Sequence, residues 1–194
     1  MTDVGISPLL IPDALWRPSP FADERPAMTP ITLVVIHGIS LPAGEWGGPL
    51  VDDLFMGRLY NTSGLPASLH TLHNIKVSAH LFIRRSGAVL QYVDLWRRAW
   101  HAGVSSWRGR ERCNDFSIGI EMEGTDHHAY DERQYVSLQR VLLHMKTIIP
   151  SLEEVVGHED IAPGRKTDPG PAWNWEHLDV PEGLHAPHCS GGPL

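Results

Sequence analysis

"ITLVVIH" (31–37) decides how this chain folds. It is a continuous run of β-branched and apolar residues with no polar alternation. A strand with one wet face alternates, whereas a strand covered on both faces does not. The run therefore belongs in the middle of a sheet that has layers packed on each side. It stops at His37, and Gly38 follows. The carboxyl ends of such strands are where ligands gather in open α/β sheets, which makes His37 the first candidate functional residue.

Other segments join this strand on either side. "EEVVGH" (153–158) is a shorter apolar strand, and it too ends on a histidine, His158. "KVSAHLFIRR" (76–85) alternates, with Val77, Ala79, Leu81 and Ile83 on one face and Ser78, His80, Phe82 and Arg84 on the other. "RSGA" turns it into "VLQYV", a hairpin. "FSIGIEMEG" (116–124) alternates as well, with Ile118, Ile120 and Met122 opposite Gly119, Glu121 and Glu123.

The strongest helix is 131–149. Tyr135, Leu138, Leu142, Met145 and Ile149 form its buried stripe, Asp131 with Gln134 resembles a capping box, and Pro150 stops it. Pro49 opens a shorter helix to about residue 60, burying Leu50, Leu54 and Phe55, and "PAWNWEHL" (171–178) starts a last one. Segments 39–49 and 98–115 are long loops. Strands and helices mix without strict alternation. The expected fold class is α/β, a single domain with a central mixed β-sheet flanked by helices. Residues 1–29 read as an irregular arm, 30–180 as the domain and 181–194 as a flexible tail.

The chain has 194 residues, 42% of them apolar, and a net charge of -7. That balance disfavours nucleic acid and anionic membranes, which need a basic footprint. Two cysteines, Cys113 and Cys189, make no disulfide framework. The start, "MTDVGISPLLIPDALW", has no basic leader, and no run of eighteen apolar residues occurs. A soluble, cytoplasmic protein is expected, with a monomer as the simplest assembly.

Twelve histidines stand out against this background. His37 and His158 both sit at strand ends. Asp168 follows on "GHEDIAPGRKTDPGP" (157–171), a loop that Pro163, Pro169 and Pro171 stiffen. Two imidazoles and a carboxylate suit a catalytic zinc, which commonly keeps a fourth position open for water. By spacing alone the histidines are equally packed core residues. Glu121, a carboxylate in mid-strand, is the candidate general base unless its face is simply wet, as Glu123 beside it would allow. Lys166 lies two residues from Asp168, within reach of a bound carbonyl or else solvated. His80 and His101 line a cleft or pack. His127, His128 and His144 read as surface residues, and "HAPHC" (185–189) lies in the tail.

Four blocks in register carry a resemblance: "VVIHGISLPAGEWGGP", "VSAHLFIRRSGAVLQYV", "RAWHAGVSSWRGRERCNDFSIGIEMEGTD" and "GHEDIAPGRKTDPGP". They resemble the type 2 N-acetylmuramoyl-L-alanine amidases, relatives of peptidoglycan recognition proteins, and within them the 1,6-anhydro-muropeptide amidases of peptidoglycan recycling. The likeness runs from about residue 31 to 175. It implies a zinc site at the edge of a substrate groove, with His37, His158 and Asp168 as ligands and Glu121 and Lys166 as the catalytic pair. It also implies cleavage of the amide between the lactyl group of anhydro-muramic acid and L-alanine, and a link to β-lactamase induction. Arg112 matches a position that grips the stem peptide's carboxylates. Lys76 stands where some relatives have Arg, and Gly38 where many have Asn. "HEDIAPGRK" replaces the commoner "HCNIAPERK". A non-catalytic muropeptide-binding module, or a lysin or autolysin acting on intact wall, are the alternative readings.

Overall fold

The computed structural model describes residues 8–59 and 63–186. The run 31–37 becomes β3 (Leu33–Ile39), inside a six-stranded sheet. In chain order the strands of the described residues are β1 (Leu15–Trp16), β2 (Ala22–Asp23), β3, β4 (Leu81–Ile83), β5 (Val89–Gln91), β6 (Arg98–Ala99), β7 (Ser106–Trp107), β8 (Arg110–Glu111), β9 (Ser117–Glu123) and β10 (Glu154–Gly157). The main sheet runs β1-β5-β4-β9-β3-β10, and two-stranded ribbons pair β2 with β6 and β7 with β8. Only β4 and β5, the hairpin read from "RSGA", are antiparallel in the main sheet. The sheet is mixed, as expected.

Both faces of β3 are covered, which is why its sequence does not alternate. Val34 and Ile36 pack with Leu138, Val141, Leu142 and Met145 of α2 (Glu132–Ile148). Leu33 and Val35 face the other way, against Cys113, Phe116 and Ile161. Next to them Phe82 and Leu90 meet Val51, Leu54 and Phe55 of α1 (Leu50–Phe55). α2 carries the expected cap: Asp131 Oδ1 accepts from the Arg133 amide, and Gln134 Oε1 accepts from the Asp131 amide, each at 3.0 Å. In its last turn the Lys146 ammonium donates to the Pro150 and Leu152 carbonyls, supplying charge at the helix's negative end.

Several elements differ from expectation. α1 ends at Phe55, and Gly57 just beyond adopts a left-handed φ of 65°. The segment 78–83 is buried on both sides rather than alternating. Its second face is covered by the 98–116 loop and by residues 21–25: Ser78 Oγ donates to Phe21 O, and Ser78 N to Trp100 O. The last helix is a single 3-10 turn, Trp175–His177. The arm includes β1 and β2, and its Arg25 donates to the carbonyls of Leu95, Trp96, Asn114, Asp115 and Ser117. In the tail, Leu184 and Ala186 are buried. Residues 187–194, with His188 and Cys189, lie outside the described residues. No helix of the described residues is long and apolar enough to cross a membrane.

The parallel register sets up the site. His37 is opposite Glu121 on β9, and Ile36 is opposite Gly157 on β10. His158 is the next residue after Gly157, so three candidate side chains emerge side by side at the carboxyl ends of adjacent strands.

Candidate active site

β10 gives way directly to a one-turn helix, α3 (His158–Ile161), so the stretch read as a loop begins with a turn that presents His158. Asp160 Oδ2 accepts the Gly157 amide at 2.7 Å and fixes that turn. The loop then comes back, and the Glu159 amide donates to the Asp168 carbonyl at 3.0 Å. His37 Nδ1 thereby lies 2.9 Å from His158 Nδ1, and Asp168 Oδ2 is 3.2 Å from the first and 3.0 Å from the second. His37, His158 and Asp168 each offer one ligand atom to the same point. Ligands on a tetrahedral ion with bonds of about 2.0–2.1 Å are roughly 3.3 Å apart, close to these separations. The His158 ring uses its other nitrogen, Nε2, on the Ala102 carbonyl at 3.3 Å. A carbonyl only accepts, so Nε2 carries the proton and Nδ1 keeps its lone pair. The donor set fits a divalent metal ion.

Arg165 and Tyr130 hold this geometry in place. The Arg165 guanidinium donates to the Ala102 and Val104 carbonyls, pinning the loop that His158 leans on. The Tyr130 hydroxyl donates to the Pro169 carbonyl at 3.0 Å, directly after Asp168. A side chain at Gly38 would collide with that hydroxyl. Gly38, one of the departures noted in the sequence, therefore makes room for the tyrosine that anchors the Asp168 loop.

The electrostatics set two kinds of group apart. Burial pushes the Glu121 carboxyl well above its ordinary range; repulsion from Asp168 adds to this, and Lys166 opposes it. Burial also works against the Asp168 carboxylate. There, the interaction with the His158 and His37 rings outweighs it and holds the group below the usual carboxylate range. Two neighbouring carboxyls thus differ in proton affinity, a common mark of a catalytic site. Glu123, the argument for a wet face, is 4% exposed. It accepts from the Gly47 and Arg85 amides and pairs with Arg84, so this face is not solvated.

The other predicted site residues lie around the cluster. Lys166 is exposed, yet its charge acts on both Glu121 and His37. Arg112 is exposed, pairs with Asp115 at 3.2 Å and lines a cavity of about 500 Å³ with Gly103, Ser106, Pro163 and Arg165. A second cavity of about 290 Å³ begins at Gly38 and includes Thr125, Asp126 and His127. Lys76 is exposed and lines neither cavity.

Buried imidazoles make the fold sensitive to acid. Burial pushes His37 down to about 4 and His80 to about 3, and places His101 well below its ordinary value. The unfolded chain takes up these protons near pH ~6.5, whereas the folded chain resists until far lower. The unfolded state then binds more protons, so stability falls as the pH drops from there towards 4 and 3. Glu121, whose carboxyl is raised in the fold, acts in the opposite sense and offsets part of the loss. The urea midpoint is expected to be clearly lower at about pH 4.5 than at pH 7.5; a midpoint that stayed level or rose would contradict this balance.

The family model for N-acetylmuramoyl-L-alanine amidases matches residues 27–171. The chain belongs to the N-acetylmuramoyl-L-alanine amidase family. This amidase is 51% identical over 164 residues to the 1,6-anhydro-N-acetylmuramyl-L-alanine amidase AmpD of Escherichia coli strain K12, covering 84% of this chain and 88% of the relative. A crystal structure of a selenomethionine AmpD derivative superposes with a TM-score of 0.83 at 48% identity, over 87% of this chain and 94% of that one. The E. coli amidase AmiD, solved with anhydro-N-acetylmuramic acid-L-Ala-D-gamma-Glu-L-Lys, matches at a TM-score of 0.57 and 28% identity, over 80% of this chain and 59% of that one.

Reasoning from the amidase sequence did not single out Arg165 or Tyr130. Arg165 stood beside a candidate, Lys166, but its target is a backbone more than sixty residues away in sequence, and no spacing rule reports that.

Proposed function

We propose that this amidase uses zinc to hydrolyse the amide between the lactyl group of 1,6-anhydro-N-acetylmuramic acid and L-alanine of the stem peptide, in peptidoglycan recycling. The observation that carries this reading is the convergence of His37, His158 and Asp168 beside Glu121, whose carboxyl burial raises above its ordinary range. It occurs in a chain half identical, over most of its length, to enzymes of that name. Zinc held by the three ligands would lower the pKa of water and polarise the scissile carbonyl. Glu121 takes the proton of the attacking water and hands it to the leaving amine. Lys166 steadies the oxygen on which charge develops. Arg112 and Lys76 attract the carboxylates of the stem peptide. On this reading a monomer works in the cytoplasm on small, soluble muropeptides.

Two experiments test it. Soluble anhydro-muropeptide is expected to be cut far faster than intact sacculi; a strong preference for sacculi would favour a wall-acting lysin. Lys166→Ala is expected to lower kcat by ~10²–10³-fold with a smaller change in KM. A wild-type kcat in that variant would remove Lys166 from the chemistry.

A further inference from the structure

We propose that Ser117 and His101 are positioning residues that dictate which nitrogen of His37 faces the metal; the proposal rests on the reading of His37 as a ligand. The reasoning starts at the far end of a hydrogen-bonded chain. Ser117 Oγ lies 2.6 Å from the Cys113 carbonyl and 3.1 Å from His101 Nε2. A carbonyl cannot donate, and two oxygens so close need a proton between them. The single Ser117 hydroxyl proton is therefore committed to Cys113 O. Towards His101 the same oxygen can only accept, so His101 Nε2 carries a proton.

A neutral imidazole with its proton on Nε2 offers a lone pair at Nδ1. His101 Nδ1 lies 2.9 Å from His37 Nε2, so His37 must donate from Nε2. Its own Nδ1 is left with a lone pair, and that atom faces His158 and Asp168. One backbone carbonyl thus fixes the direction of three successive hydrogen bonds and delivers the ligand atom at the end. The rings are held edge to face, with centroids 5.0 Å apart.

Gly119 is part of the same device. A Cβ there would overlap the His101 ring, so a glycine in mid-strand lets the imidazole lie against β9. His158 is oriented independently, by the Ala102 carbonyl, which confines the Ser117 relay to His37.

The test compares the full-length wild type with Ser117→Ala, His101→Leu and His101→Asn. Zinc affinity is read by competition with a chromophoric chelator, and ring proton positions by nitrogen-15 NMR of the histidines with and without zinc. Ser117→Ala and His101→Leu are expected to weaken zinc by ~10–100-fold. His101→Asn is expected to stay near wild type, because its amide oxygen can accept from His37 in place of Nδ1. A purely structural role would not produce that rescue. In the wild type, His37 and His101 should both carry their proton on Nε2, even without metal. Wild-type zinc affinity in folded Ser117→Ala and His101→Leu, or a His37 proton on Nδ1, would overturn the relay. If the wild type bound no zinc, the metal reading would fall, while the metal-free NMR spectra would still decide the hydrogen-bond directions. Thermal unfolding in chelator identifies any variant that fails to fold. In that event Gly119→Ala, which displaces the ring without removing a polar group, supplies the same affinity comparison.

Discussion

Glu121→Ala is expected to keep its metal and lose turnover by ~10²–10⁴-fold. Glu121 is opposite His37 in the β3–β9 register, so its carboxyl stands beside the cluster without being one of the three clustered ligand atoms. Removing it leaves the His37, His158 and Asp168 contacts intact. The variant also relieves a destabilised group: the carboxyl is pushed up by burial and by Asp168, and alanine carries no such cost. The folded protein should therefore be at least as stable as wild type at neutral pH while its activity collapses. Zinc content by elemental analysis, unfolding in urea and turnover of anhydro-muropeptide together read the three effects. Near-normal turnover would remove Glu121 as the base, and loss of zinc would make it a ligand instead.

Asp168→Ala is expected to lose both metal and turnover. Its Oδ2 is the oxygen donor of the cluster, 3.0–3.2 Å from both imidazole nitrogens. Without it, two neutral imidazoles remain, and a site that had three protein ligands is left with a pair. With the metal gone, two nitrogen lone pairs face each other at 2.9 Å, so the rings should splay. Zinc affinity should fall by well over the change expected for Ser117→Ala, and turnover should reach background at any zinc concentration that spares the protein. A variant that held zinc as tightly as wild type would show that a different oxygen completes the site.

These two variants separate base from ligand, and the sequence shows how far that separation could be read in advance. "ITLVVIH" announced a strand covered on both faces, because nothing polar interrupts it, and β3 is covered on both faces. Asp131, Gln134 and Pro150 bounded α2 closely, since capping is a local interaction. His37 and His158 stood out because each ends an apolar run, and the parallel register then sets them side by side. What stayed hidden depends on distant chain segments. Residues 78–80 alternate like an edge of a strand, but Arg25 and Trp100 cover the second face. His101 read equally as a cleft or a packing residue, for its partners His37 and Ser117 come from strands distant in sequence. Gly119, a glycine interrupting a strand pattern, was the one visible hint that another group approaches the backbone there. Lys76 and Arg112 rest on resemblance alone, because long exposed side chains leave no packing record in sequence.

The central claim is that a zinc ion held by His37, His158 and Asp168 is required for cleavage. The most direct measurement strips the protein of metal with a chelator, returns zinc in steps and follows hydrolysis of soluble anhydro-muropeptide against bound zinc. The expected result is no turnover in the stripped protein, a rise in proportion to bound zinc and saturation at about one ion per chain. Full turnover in the stripped protein, or turnover indifferent to the zinc bound, would contradict the account.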